Sequence, residues 1–312
     1  MTDASLDHPP IACSTLACPE WSPGEVVRRV ARIGYDSIEW RGGPDGHVRT
    51  DWPADRRAEL RRRVGDAGLA SLAVTSYTQF VSGDARTRQD SVTHLLRHLE
   101  LAADLGAPFV RVFVGEIDDD VPKDVLRDRA VDGLAAAVDT ARDLGVDIAI
   151  EPHDDFARAA SIQPILERLD AGAVGVVWDI VNAWGVGELP IDGLAAIHGR
   201  IRYVQLKDAR RDGEWQLMPI GAGDVPLLDG VRALAKDGPL PPLCVEWERA
   251  WHPELDPADV ALPQALDAVR DLVRHSRASL DSTTSTPPIA SSDATTSSAD
   301  TRAGTRRSSS TS

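Results

Sequence analysis

Eight brief apolar runs, each followed by a stretch with helical spacing, predict an α/β chain closed into a (β/α)8 TIM barrel, folded as a single domain. Two further observations narrow the choice. Glycines end several helical stretches just ahead of an apolar run (Ile33-Gly34, Leu105-Gly106, Leu144-Gly145), as short αβ connections require. After the first run comes Ser14-Thr15-Leu16-Ala17-Cys18, where a doubly wound open sheet would usually carry a glycine-rich phosphate loop. Parallel strands with right-handed crossovers then close on themselves.

The first strand runs from Ile11 to Leu16. Ser22-Pro23-Gly24-Glu25 follows as a helix start, with a cap, a proline at the first helical position and the Glu of a capping box. Val26, Val27, Val30 and Ile33 form its apolar stripe, which Gly34 stops. Tyr35 to Arg41 is strand two, with Ser37, Glu39 and Arg41 on one face. A helix from Ala54 to Ala67 leads to strand three, Ser71 to Ser76. Helices from Thr87 to Leu105 and from Pro122 to Leu144 bracket strand four, Phe109 to Val114. Strand five is Asp147 to His153; Ile162 to Leu169 is helical, and strand six begins near Val174. A short helix, Ile191 to Ile197, precedes strand seven at Ile201, and a longer loop, Asp212 to Gly223, precedes a helix from Pro226 to Ala235. Strand eight is Leu243 to Trp247, and Pro257 to Arg274, capped by Asp256, closes the ring.

The barrel therefore occupies residues 11–275, behind a flexible start at 1–10. Residues 276–312 are mostly Ser, Thr, Ala, Asp and Arg, too polar to offset chain entropy by burial, which predicts a disordered tail. The net charge of −15 argues against nucleic acid as a partner, because such binding depends on Lys and Arg contacts to phosphate. Cys13, Cys18 and Cys244 make no disulfide framework. With no basic-then-apolar leader and no apolar run near the length of a membrane span, the expectation is a cytoplasmic protein.

Chemistry gathers at four strand ends. Glu151, Asp179, Gln205 and Glu246 close strands five to eight, each after a short apolar run and each an oxygen-bearing side chain. In a barrel such ends meet at one mouth. Three carboxylates held together repel unless a cation neutralises them, and an all-oxygen set of three carboxylates and an amide suits Mn²⁺ or Mg²⁺ better than zinc, with Co²⁺ able to substitute. The alternative is a rim of isolated polar residues paired with lysines. His153 shares a face with Glu151, and Lys207 with Gln205, so both are candidates for substrate contact. Trp40, Trp178 and Trp247 have the opposite parity and belong to the helical layer; Trp184, Trp215 and Trp251 lie in loops after strands, where an aromatic face can meet a ligand.

These motifs resemble those of the xylose isomerase-like TIM-barrel superfamily, the sugar phosphate isomerases/epimerases. The resemblance rests on Asp36-Ser37-Ile38-Glu39-Trp40-Arg41, Ile150-Glu151-Pro152-His153, Trp178-Asp179-Ile180-Val181-Asn182, Val204-Gln205-Leu206-Lys207-Asp208, Ile220-Gly221-Ala222-Gly223 and Val245-Glu246-Trp247-Glu248. It implies one divalent metal held by Glu151, Asp179, Gln205 and Glu246, with Gln205 where many members carry His. Asn182 stands where the three-metal DNA-repair branch would have a further His. The implied activity is sugar isomerisation or epimerisation through a metal-stabilised enediolate, with Glu151 and Glu246 as proton carriers. His153, Lys207, Glu39 and Arg111 are the expected substrate contacts. Arg41 and Arg111 are open between holding an anionic substrate and bridging to Glu39 or Glu248, and His252 is a further candidate in the last loop. Gly221-Ala222-Gly223 reads as a flexible wall. The family also implies homo-oligomers. A dehydratase of the same scaffold and a non-catalytic sugar-binding barrel are the competing readings.

Overall fold

Side-chain alternation along short parallel strands sets the architecture. In the computed structural model, which describes residues 8–212 and 214–284, the first seven barrel strands are β1 (Ile11–Ser14), β2 (Ser37–Arg41), β3 (Ala70–Thr75), β4 (Phe109–Val112), β5 (Asp147–Ile150), β6 (Val174–Asp179) and β7 (Ile201–Leu206). A hairpin of β8 (Asp208–Asp212) and β9 (Glu214–Met218) follows, and β10 (Leu243–Val245) is the eighth stave. Each stave pairs in parallel with its neighbours, and β1 joins β10 and β2 to complete the cylinder. The outer helices are α1 (Pro23–Ile33), α2 (Ala54–Asp66), α3 (Ala85–Leu105), α4 (Lys123–Leu144), α5 (Ala159–Leu166), α6 (Ile180–Gly185), α7 (Pro190–Ile197), α8 (Leu227–Lys236) and α9 (Ala258–Thr284).

Local signals act as expected at α1. The Glu25 amide donates to Ser22 Oγ and the Ser22 amide donates to Glu25 Oε2, while Gly34 takes the left-handed conformation at φ 101° that a Cβ would disfavour. Three elements differ from the sequence expectation. The loop from Asp212 to Gly223 is in part the β8–β9 hairpin, for which Asp212-Gly213 is the sequence signal. Helix α6 was not expected; the Asp179 carboxylate caps it, accepting from the amides of Val181 (2.7 Å) and Asn182 (3.2 Å). Helix α9 continues to Thr284, past the expected end at Arg274, so residues 276–284 are helical rather than part of a disordered tail. Ser276 is buried there with its hydroxyl on the Val273 carbonyl. The remaining tail, and residues 1–7 of the expected flexible start, lie outside the described residues.

Two apolar layers hold the barrel. Outward residues of the strands, Trp40 and Trp178 among them, pack beneath the helices. Inside, Ala12, Leu72, Ala73, Ala149, Val177, Tyr203 and Cys244 form a separate plug against which Phe109 packs, its ring 5.6 Å from that of Tyr203. All three cysteines are buried and unpaired. Among the described residues no helix is long and apolar enough to cross a membrane.

Candidate active site

One pleat above the plug, the inward positions change from apolar to charged. Ala149 gives way to Glu151, Val177 to Asp179, Tyr203 to Gln205 and Cys244 to Glu246, each two residues on and so on the same face. Glu151 and Glu246 follow their strands directly, their amides still donating to Val112 and Leu206 carbonyls on the neighbouring staves (2.9 Å each). This backbone pairing fixes where the carboxylates point. Ligand oxygens of Glu151, Asp179 and Glu246 all lie within 4.8 Å of one another, and all three residues are buried.

Gln205 completes the set. Its Nε2 donates to Glu246 Oε1 (2.9 Å) and to both oxygens of Glu39 (3.3 and 3.2 Å). Carboxylates on that side fix which end of the amide is nitrogen. The Gln205 Oε1 is left buried without a hydrogen bond, while Glu151 Oε2 and Asp179 Oδ2 meet only the cations Arg111 and Lys207. Three converging buried carboxylates beside an orphan amide oxygen form an all-oxygen donor set that fits a hard cation.

Charge in the pocket is unevenly compensated. Lys207 Nζ lies 2.7 Å from Asp179 Oδ2 and 2.8 Å from Glu246 Oε2, and donates to Glu248 Oε1 as well. Arg111 Nε lies 3.2 Å from Glu151 Oε2. Glu39 brings a fifth carboxylate, bound by Tyr203 Oη at 2.6 Å. Burial pushes the Glu151 carboxyl well up despite Arg111 beside it, with Glu246 and Asp179 adding to the rise. Burial likewise raises Asp179, and burial and Glu246 raise Glu39. Glu246 goes the other way: burial opposes ionisation, but the Lys207 ammonium holds its carboxyl down. Five carboxylates against two cations leave a net negative pocket, which a dication would relieve.

A profile of the family described as "Xylose isomerase-like TIM barrel" matches residues 27–272. The chain belongs to this family. Among curated relatives, it is 26% identical over 201 residues to SgbU of Escherichia coli (strain K12), described as a candidate L-ribulose-5-phosphate 3-epimerase; the match covers 60% of this chain and 70% of that one. Among solved structures, L-ribulose 3-epimerase aligns with a TM-score of 0.73 at 17% identity, over 88% of this chain and 98% of that one. The IOLI protein, solved with a zinc atom bound, aligns with a TM-score of 0.70 at 20% identity, over 85% and 98% respectively.

In this xylose isomerase-like barrel the remaining candidates fall into place unequally. Glu39 does not sit at the mouth as expected. Its carboxylate is 0% exposed and bound by Tyr203 and Gln205, so it orients the amide from below. Arg111 bridges to Glu151, rather than to Glu39 or Glu248, and lies between the Tyr77 and Phe113 rings, at 5.0 and 4.2 Å from their centroids. His153 is part-exposed, 4.5 Å from the Phe113 ring, with Nδ1 2.8 Å from Asp154 Oδ1. His252 stands 3.8 Å from Glu248 and 3.4 Å from Glu254. The loop at Gly221-Ala222-Gly223, read as flexible, is anchored: Asp208 accepts from the amides of Gly221 (2.8 Å), Gly223 (3.0 Å) and Val225 (3.3 Å). A Cβ on Gly223 would meet Asp208 Oδ1 at 2.1 Å, so a side chain there would break the anchor.

Sequence reasoning missed four contributors. Asn182 donates to Glu151 Oε1 at 3.0 Å, a role its position two residues into α6 allows because Asp179 caps that helix. Tyr203 supports Glu39, and Tyr77 and Phe113 form an aromatic wall with Trp251, whose ring meets Tyr77 edge-on at 6.0 Å. Only Tyr203 was readable, by its parity with Gln205. On the other side, Trp184 and Trp215 meet at 5.7 Å.

Proposed function

We propose that the chain is a divalent-metal-dependent isomerase or epimerase of small sugars or sugar phosphates, moving a proton at a carbon beside a ketone. The observation that carries this reading is the convergence of Glu151, Asp179 and Glu246 within 4.8 Å, beside the orphan amide oxygen of Gln205. Those four residues would hold the ion; Mn²⁺ or Mg²⁺ suits their oxygens, and Co²⁺ could replace them. When bound, the metal supplies Lewis-acid stabilisation of negative charge on the substrate's oxygens.

The protein's own part is proton transfer and positioning. Glu151 and Glu246 stand on staves separated by β6 and β7, so a substrate carbon between them has a carboxylate on either side. One carboxylate takes the proton from that carbon; the other, entering protonated, gives its own proton to the opposite face and inverts the centre, whereas isomerisation returns the first proton to the neighbouring carbon while the hydroxyl proton passes to the former ketone oxygen. A cation stands behind each carrier, Arg111 at Glu151 and Lys207 at Glu246. Half-exposed Tyr77 and Trp251, stacked with Arg41 and Arg111, wall the mouth and thin the water above it. His153, at the same rim, is placed to bind a substrate hydroxyl. The three buried thiols, none paired, accord with a cytoplasmic enzyme.

The test is exchange in deuterated water with metal-loaded protein and a panel of ketopentoses, ketohexoses and their phosphates. The expected result is one deuterium in the epimer or isomer recovered from at least one sugar. Loss of water to an enone would replace this reading with a dehydratase, and an absence of exchange across the panel would leave sugar binding alone.

A further inference from the structure

We propose that Lys207 is a retractable counter-ion and that Glu248 is the positioning residue that draws it off Asp179 when a metal binds; this rests on the reading above that the buried carboxylates hold a dication. Both oxygens of Asp179 are committed. Oδ1 caps α6, accepting from the amides of Val181 and Asn182. Oδ2 lies 2.7 Å from Lys207 Nζ. An ion held by Asp179 therefore takes either the capping oxygen or the one facing Lys207. Giving up the cap would strand two amides of α6 and loosen Asn182, which donates to Glu151. Oδ2 is the oxygen a metal takes.

A carboxylate oxygen has lone pairs for two partners, but two cations on one buried atom repel each other. Mg²⁺ sits about 2.1 Å from a ligand oxygen, so an ammonium at 2.7 Å from the same oxygen opposes it. The three contacts of Lys207 are not equal. It donates hydrogen bonds to Glu246 Oε2 (2.8 Å) and to Glu248 Oε1, whereas its contact with Asp179 Oδ2 is an ion pair without a hydrogen bond. Asp179 is the partner most easily released. Glu248 lies two residues beyond Glu246, is more exposed (side chain 19% against 4%) and stands outside the converging group of Glu151, Asp179 and Glu246. Its charge is thus available to keep the ammonium paired once Oδ2 is taken. The residue type fits this duty, since lysine is a point charge on a flexible four-carbon stem. Arg111 has no such second seat: it meets Glu151 alone and is held between the Tyr77 and Phe113 rings.

The experiment titrates Mn²⁺ by calorimetry into metal-stripped, full-length wild type, Glu248→Gln, Lys207→Met and the double variant. Glu248→Gln should weaken binding at least tenfold beside Lys207, and less than threefold in the Lys207→Met background. Simple loss of a nearby negative charge would weaken binding equally in both backgrounds. An equal loss therefore overturns the inference and leaves the metal site standing, as does wild-type affinity in Glu248→Gln. A crystal structure of the Mn²⁺-loaded wild type decides even where Lys207→Met does not fold. It should show Lys207 Nζ more than about 4 Å from Asp179 Oδ2, beyond ion-pair range, and still on Glu248. An ammonium that stays on Asp179 beside the ion overturns the inference alone. No Mn²⁺ uptake by the wild type would end both the inference and the metal reading.

Discussion

The barrel interior has two levels with opposite chemistry, although the same strands build both. The lower level is the plug of Ala12, Leu72, Ala73, Ala149, Val177, Tyr203 and Cys244. The upper level, one pleat away, holds Glu151, Asp179, Gln205 and Glu246, with Lys207 a further pleat up, all buried. Burial alone therefore does not distinguish structure from function here. A buried Val costs nothing, whereas a buried carboxylate needs a cation, a proton or a donor, and the upper carboxylates outnumber the cations that meet them. The lower level supports the fold, and the upper one carries charge that the fold only partly balances.

Substitutions at the two levels should separate these roles. The largest effect belongs to Glu246→Gln, expected to lower kcat about 1000-fold if this carboxylate carries the proton, while the melting temperature changes little. Sugar turnover kinetics and a thermal melt on the same sample check both halves. Next is Lys207→Met, which strips Asp179, Glu246 and Glu248 of their shared cation. The metal-free protein should lose about 3–5 kcal/mol of stability, and added Mn²⁺ should restore part of it, as read by denaturant melts with and without the ion. Equal losses in both conditions would break the link between Lys207 and the metal pocket. At the lower level, Val177→Ala should cost about 2 kcal/mol and leave metal content and kcat near wild type. A loss of metal binding there would show that the two levels are not separable.

The smallest effect lies outside the barrel. His98 on α3 is buried, its Nδ1 on the His94 carbonyl, and burial pulls its pKa below the ordinary 6.5. A depressed histidine favours the neutral form in the folded state, so its contribution is complete above about pH 6.5 and declines as the pH falls through the lower folded value. Melting temperature should fall from pH 7 to pH 5, and His98→Gln should flatten that slope. An unchanged slope would assign the acid sensitivity elsewhere.

The two levels were not equally legible in the sequence. Strand order, the inward parity of Glu151, Asp179, Gln205 and Glu246, and the outward burial of Trp40 and Trp178 all follow from the period of two along a strand, which a single sequence displays. The pairings within the upper level depend on the stagger between staves, which it does not display. Asn182 meets Glu151 across 31 residues and Tyr203 meets Glu39 across 164, contacts that no local pattern encodes. Glu39 was misplaced for that reason: parity gave its face, but its depth is set by the pairing of β2 with β1 and β3. The continuation of α9 was hidden by composition, since its last turns share the polar residues of the tail.

The central claim, that the upper level is a metal site, is tested most directly by titrating Mn²⁺ into metal-stripped full-length protein and into Asp179→Asn. The wild type should bind one ion per chain, and the variant should bind it at least tenfold more weakly. Equal affinity and stoichiometry in the two proteins would contradict it.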